Sequence, residues 1–225
     1  MEITYLGHGC VEIKTAGHSL LVDPFITPNP LAAHIDINQL QPDYILLTHG
    51  HEDHVADAEA IAKKSNAKII ANFEIVTWYG NKGIEGHPMN HGGQWQFDFG
   101  TVKMVNAVHS SVLPDGTYGG NPAGFVVSTS EGTVYLAGDT ALHQDMKLIP
   151  EFFQLDLAVL PIGDNFTMGI AEAVKAAGFV GVSKVLGIHY DTFPYIEINK
   201  EEARQAFESS GIELLLPDIG SSITV

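Results

Sequence analysis

One cysteine, Cys10, is the only thiol in this 225-residue chain. A disulfide within the chain and a thiolate metal cluster are therefore excluded, and Cys10, beside Gly9, is expected to pack as a small apolar side chain. Basic residues are also sparse: 11 Lys and Arg stand against 27 Asp and Glu, a formal net charge of −16. The bases are scattered along the chain, so nucleic acid is disfavoured as the main substrate. No run reaches the roughly 18 apolar residues of a membrane helix, and no membrane span is expected. Met1-Glu2-Ile3-Thr4-Tyr5 enters a strand pattern without the basic region and apolar stretch of a signal peptide, so a cytoplasmic setting is the default expectation. With 45% hydrophobic residues, 17% charged residues and no interrupting linker, the composition suits a single domain over residues 1–225 with a sizeable core.

What the chain does have is histidine, 11 residues in all. His49-Gly50-His51-Glu52-Asp53-His54 gathers three imidazoles and Asp53 directly after the apolar run Tyr44-Ile45-Leu46-Leu47-Thr48. A strand entering a short loop turns such side chains toward one point. Neutral imidazole nitrogens and carboxylate oxygens are ligands for zinc and its first-row neighbours.

Short β segments fill the first 25 residues (Ile3–Leu6, Val11–Lys14, Ser19–Val22), with turns at Gly7-His8-Gly9 and Ala16-Gly17-His18. Four prolines at 24, 28, 30 and 42 mark a long loop. Past the histidine motif, Asp57–Lys64 reads as helix, Ala67–Ala71 as a buried strand and residues 72–80 as a further short helix. Strands follow at Gln94–Phe97, Thr101–Ala107, Ala123–Thr129 and Thr133–Ala137. The last third alternates: helix Leu142–Phe153, strand Leu157–Leu160, helix Met168–Ala177, strand Lys184–Ile188, helix Lys200–Ser209, strand Glu213–Leu215. This order predicts α/β architecture, sheets covered by helices.

His109, Asp139 and His189 each lie just past one of those strands, where a sheet presents chemistry to solvent. Taken singly, each reads equally well as a structural residue. Taken in order, Thr48-His-Gly-His-Glu-Asp-His54, Val108-His109-Ser110, Gly138-Asp139-Thr140 and Gly187-Ile188-His189-Tyr190 resemble the metallo-β-lactamase superfamily, with Leu21-Val22-Asp23-Pro24 adding to the match. Within it the chain is most similar to a small branch of metal-dependent hydrolases related to ascorbate-phosphate lactonase and to phospholipase D-like members.

The resemblance implies a four-layer αβ/βα sandwich, two mixed β-sheets flanked by helices, with the site along one edge between the sheets. It implies one divalent metal on His49, His51 and His109, a second on Asp53, His54 and His189, Asp139 bridging both, and room for a shared hydroxide. Such a pair, roughly 3.5–4 Å apart, brings the pKa of the bridging water toward neutrality. Zinc suits the His-rich ligation best, with Mn2+, Fe2+ and Ni2+ as alternatives. Asp53 and Asp139 are the expected catalytic carboxylates. Each ligating histidine is expected to donate its second ring nitrogen to an outer group, with Asp23 and Thr48 as candidates. An imidazole at position 51, where the diiron oxygen-reducing branch has a carboxylate, favours hydrolysis over redox chemistry.

Four further expectations concern the surroundings. His8, at the first β turn, is a candidate to approach the site. In Pro161-Ile162-Gly163-Asp164-Asn165-Phe166-Thr167-Met168-Gly169, Asn165 and Thr167 are candidate polar contacts to substrate. Thr167 reads equally well as the N-cap of the following helix. His87, His91 and His143 match no ligand position and are expected at the surface. The function expected is hydrolysis of an ester, lactone, amide or phosphodiester bond in a small molecule. The alternatives are a nucleic-acid phosphodiesterase similar to tRNA 3′-end nucleases and a non-catalytic metal-dependent binding protein. A homo-oligomer is left open.

Overall fold

Alternation along the strands decides which face each one buries. In a computed structural model describing residues 1–225, the early strands are β1 (Glu2–Gly7), β2 (Cys10–Thr15), β3 (His18–Val22), β4 (Tyr44–Leu46), β5 (Lys68–Asn72) and β6 (Gly86–Met89). Then come β7 (Gln94–Gln96), β8 (Thr101–Asn106), β9 (Ala123–Thr129), β10 (Gly132–Leu136), β11 (Leu157–Pro161), β12 (Lys184–Ile188), β13 (Glu213–Leu215) and β14 (Ser222–Thr224). Ile3, Tyr5, Leu20 and Val22 point one way, toward Val102, Phe125, Val127, Leu136 and Val159 of the later strands. The intervening residues Leu21, Ile45 and Ile69 point the other way and are equally buried. Strands covered on both faces read as continuous apolar runs, as these do.

Two mixed seven-stranded sheets result, in the orders β14-β1-β2-β3-β4-β5-β6 and β13-β12-β11-β10-β9-β8-β7. In each, an antiparallel half joins a parallel half, the change falling at β3–β4 and at β10–β11. Helices α1 (Glu52–Val55), α2 (Ala58–Ser65) and α3 (Phe73–Gly80) follow strands of the first sheet, and α4 (Ile170–Val180) and α5 (Lys200–Glu208) strands of the second. The outer face of the first sheet packs on Ile61, Ala62, Ile75 and Tyr79. That of the second packs on Ala173, Ala176, Ala177, Val180, Ala203 and Phe207. Four layers are thus built around three apolar clusters, as in the sandwich expected from the sequence. No helix is long and apolar enough to cross a membrane.

Several boundaries differ from expectation for identifiable reasons. The segment read as helix Leu142–Phe153 is a run of 3₁₀ turns at Gln144–Glu151, with Pro150 inside it and unable to supply a helical N–H. The helix expected at Met168 starts at Ile170 with Gly169 as N-cap, so Thr167 does not cap it. The His49–His54 segment is only partly loop: Glu52 to Val55 form a helical turn. Two strands were not legible. β6 contains Pro88 and survives as an edge strand paired only with β5. β14 is a polar three-residue strand that pairs with β1.

The proline-bearing loop after β3 is fixed by one carboxylate. Asp57, at the start of α2, accepts hydrogen bonds from the backbone N–H groups of Ile26 (2.7 Å) and Thr27 (2.8 Å) and is buried. Asp57→Ala leaves both donors unpaired, and a stability loss of about 2–4 kcal/mol is expected. Urea unfolding measures it, and a midpoint unchanged from the parent protein would rule this anchor out.

Candidate metal centre

Six strand ends converge on one edge of the sandwich. The first sheet contributes His8 after β1, Asp23 after β3 and Thr48 and His49 after β4, with α1 adding Asp53 and His54. The second contributes His109 after β8, Asp139 after β10 and His189 after β12. The backbone N–H of His189 donates to the carbonyl of His8 at 2.9 Å, joining the two sheets at this edge. His8, Asp23 and His189 all adopt left-handed backbone, with φ of 54°, 44° and 57°. Each such conformation costs a non-glycine residue roughly 1–2 kcal/mol, and strain of this kind concentrates where chemistry is done.

Two ligand clusters form side by side. One joins His49, His51 and His109; the other joins Asp53, His54 and His189, with His8 beside them. The carboxylate of Asp139 lies between them, Oδ1 3.3 Å from His54 Nε2 and Oδ2 3.1 Å from His189 Nε2 and 3.5 Å from His109 Nε2. All seven sequence-predicted ligands are therefore brought together. Their donor set suits zinc-like dications. Asp139 Oδ1, His54 Nε2 and His189 Nε2 are buried without a hydrogen-bond partner. Such orphaned polar atoms are costly unless something binds them, so the residues fit a divalent metal.

The surrounding hydrogen bonds orient the rings. Asp23, almost fully buried, accepts from the Thr48 N–H (2.8 Å), the Thr48 hydroxyl (2.6 Å) and His54 Nδ1 (2.9 Å). With its proton committed to Asp23, the Thr48 hydroxyl accepts from His49 Nδ1 at 3.0 Å. His49 and His54 thus both turn Nε2 toward the ligand cluster. Gly138, at φ 62°, lets Thr48 approach, since a Cβ there would lie 2.7 Å from that of Thr48. His51 differs: its Nδ1 faces His49 Nε2 at 3.0 Å, and its Nε2 lies 3.4 Å from the Ser110 hydroxyl. His189 Nδ1 has no partner. The expectation of an outer hydrogen bond for every ligating histidine therefore does not hold at His189.

His8 does approach the site. Its Nε2–H donates to Asp53 Oδ2 at 3.1 Å, and its Nδ1, 3.0 Å from the Thr192 hydroxyl, accepts from it. Asn165 and Thr167 do not reach the cleft. Asn165 is exposed, its N–H on the Asp164 carboxylate, and Thr167 bonds only locally. Phe166 of the same loop is what lines the cleft, together with Phe193, Pro194 and Tyr195. Sequence reasoning missed these aromatics and also Ser110, because lone aromatics and serines in loops carry no ligand pattern. His87, His91 and His143 stay outside the site and are half-buried. Gly163 lets the two loops meet: a Cβ there would fall 2.0 Å from the His189 carbonyl oxygen.

Electrostatics sort the ligands into two groups. Burial keeps His51 and His109 below the usual imidazole value, and burial with His54 nearby keeps His49 well below it. These three are neutral and ready to ligate. Burial alone would lower His189 and His54, but the Asp139 carboxylate lifts His189 to about 9 and His54 well above its ordinary value. Burial would raise Asp139, yet the His189 and His54 imidazoles hold it well below the carboxylate range. Asp53, opposed in the same way by burial, is kept ionised by His189 and His8. Without a cation, protons on His54 and His189 supply the positive charge this centre needs.

The metal-free fold is accordingly expected to be most stable near pH 6.5. His189 binds its proton more tightly folded than unfolded, so its contribution is complete below about 6.5 and lost as pH rises through about 9. His8, lowered to about 4 by burial and then by His189, is neutral in the fold, so stability also falls as pH drops from about 6.5 toward 4. Zinc replaces the protons, so its stabilisation grows with pH. Melting temperatures from pH 5 to 9, with chelator and with zinc, test this. A zinc-induced shift no larger at pH 9 than at pH 6 would refute the charge assignment.

The comparisons with known proteins agree with this geometry. The profile of the β-lactamase superfamily domain matches residues 2–189. A UPF0173 metal-dependent hydrolase from Flavobacterium johnsoniae is 58% identical over 223 residues, 99% of each chain. One from Christiangramia forsetii is 57% identical over 224 residues, again 99% of each. Among solved structures, Igni18, a metallo hydrolase of the archaeon Ignicoccus hospitalis, superposes with a TM-score of 0.91 at 32% identity, covering 100% of this chain and 97% of its own. The chain belongs to the β-lactamase superfamily, within its metal-dependent hydrolases.

Proposed function

We propose that the protein is a binuclear hydrolase, most suited to zinc, acting on an ester, lactone, amide or phosphodiester bond of a small molecule. The observation that carries this is the Asp139 carboxylate between two histidine-rich clusters, its Oδ1 buried and without a hydrogen-bond partner. His49, His51 and His109 would hold one cation and Asp53, His54 and His189 the other, with Asp139 common to both. A bound pair of such ions supplies an acidified water and polarises the bond under attack.

The chain's own residues do the rest. Asp139 Oδ1, buried without a hydrogen-bond partner, would orient the attacking water. Asp53, ionised and partly exposed to the cleft, faces the leaving group and is steadied by the His8 N–H. Asp23 and Thr48 hold His54 and His49 against rotation. Precise orientation of this kind is what preorganised electrostatic catalysis needs.

Three results are expected. Dialysis against a chelator abolishes cleavage of p-nitrophenyl acetate, and zinc restores it. Asp139→Asn lowers turnover by about 10²–10³-fold, the magnitude of losing one group aimed at developing charge, while circular dichroism remains that of the parent. Asp23→Asn weakens zinc affinity about 10–100-fold, as loss of an outer carboxylate does. Full activity of the chelated Asp139→Asn protein would defeat the proposal.

A further inference from the structure

We infer that the cleft over the candidate metal centre admits a neutral substrate carrying an aryl or similarly flat apolar group, and discriminates against phosphate esters. The inference rests on the hydrolytic reading above and narrows its substrate class. The cleft has a volume of about 510 Å³, within the range that holds small molecules. Its floor carries His51, Asp53, His109, Asp139 and His189, and its walls are aromatic.

Phe166 reaches the cleft from the loop after β11, and Phe193 and Tyr195 reach it from the loop after β12. Phe166 and Tyr195 are 51% and 75% exposed, and their rings meet edge to face at 6.3 Å. Phe193 is seated more deeply, 5.3 Å from His8 and 6.2 Å from Phe25, so it is held in place. Single exposed aromatics are ordinary, whereas three converging on one cleft with a metal-ligand floor form a surface that a flat ring would cover.

Charge points the same way. No Lys or Arg lines the cleft, and its only charged wall or floor groups are the carboxylates of Asp53 and Asp139 and the histidines. Beyond a metal ion, which meets carbonyl and phosphoryl oxygens alike, the additional charge of a phosphate is met in proteins by guanidinium, ammonium or converging backbone N–H groups. The chain as a whole carries a net charge of −16, which disfavours the approach of anions. The Ser110 hydroxyl is the neutral polar side chain in the lining, apart from Tyr195, that can meet a carbonyl or ether oxygen.

For an aryl ester, water's hydroxyl ends on the acyl carbon, the acyl C–O bond breaks with its electron pair going to the aryloxide, and water's proton neutralises that oxygen. The test uses the zinc-loaded full chain and its Phe166→Ala, Tyr195→Ala double variant with 1-naphthyl acetate, ethyl acetate and bis-p-nitrophenyl phosphate. A separate titration follows 1-naphthol binding by its fluorescence, with and without zinc. Both substituted residues are exposed, so the variant is expected to melt within a few degrees of the parent.

The expected result is a rise of about tenfold in KM for 1-naphthyl acetate with kcat within about twofold, a similar loss of 1-naphthol affinity, and ethyl acetate kinetics unchanged. The phosphodiester is expected to be at least about a hundredfold poorer than the naphthyl ester, some 2.7 kcal/mol in transition-state binding. Failure of the parent protein to bind 1-naphthol, equal binding by the double variant, or preference for the phosphodiester overturns the inference. Turnover without any effect of the double variant overturns it while leaving the hydrolytic reading standing. Loss of 1-naphthol binding in a protein that hydrolyses nothing supports the apolar site and removes the hydrolytic reading instead.

Discussion

Three hydrogen bonds closing on the buried carboxylate of Asp23 hold the centre in register. They come from the backbone of Thr48, its hydroxyl and the ring of His54, and they bind the end of β3 to the end of β4 and to α1. Asp23 touches neither the cleft nor Asp139, yet it sets which nitrogen of His54 faces the ligand cluster and, through Thr48, which nitrogen of His49 does so. A carboxylate this deeply buried is tolerated because each bond it accepts is charge-assisted. The same residue sits at positive φ, so backbone strain and side-chain bonding oppose each other at one position.

The centre as a whole is expensive to assemble. His49, His54, Asp139 and His189 are all nearly or fully removed from solvent, and several of their polar atoms lack partners within the chain. Burial of unpaired polar and charged groups works against folding. What offsets it is the surrounding apolar packing: one cluster between the sheets and one outside each sheet. A dication at the ligand nitrogens would convert the cost into binding energy, which links the stability of this edge to metal supply.

Legibility in the sequence followed how local the determining forces were. The seven candidate ligands could be read because a compact motif and three strand ends fall in a recurring order, and strand ends are simply where apolar runs stop. The layered fold was legible for the same reason. Phe166, Phe193 and Tyr195 were not, because their meeting depends on two loops separated by a helix and a strand. β6 was hidden by Pro88, whose tolerance there depends on its being an edge strand. The partner of His8 could not be inferred either, since Asp53 reaches it from the start of α1, 45 residues away in sequence.

The contact at Gly163 ties these threads together mechanically. Its α-carbon rests against the carbonyl of His189 so closely that no side chain fits between them. Phe166, three residues on, lines the cleft, and His189 forms part of its floor. The backbones of the two loops therefore cannot shift independently at this point, since Gly163 meets the His189 carbonyl in hard contact. An insertion that moved the backbone of either loop here would bear on the geometry of the centre beneath it, whereas an exchange of side chains at the cleft mouth would not.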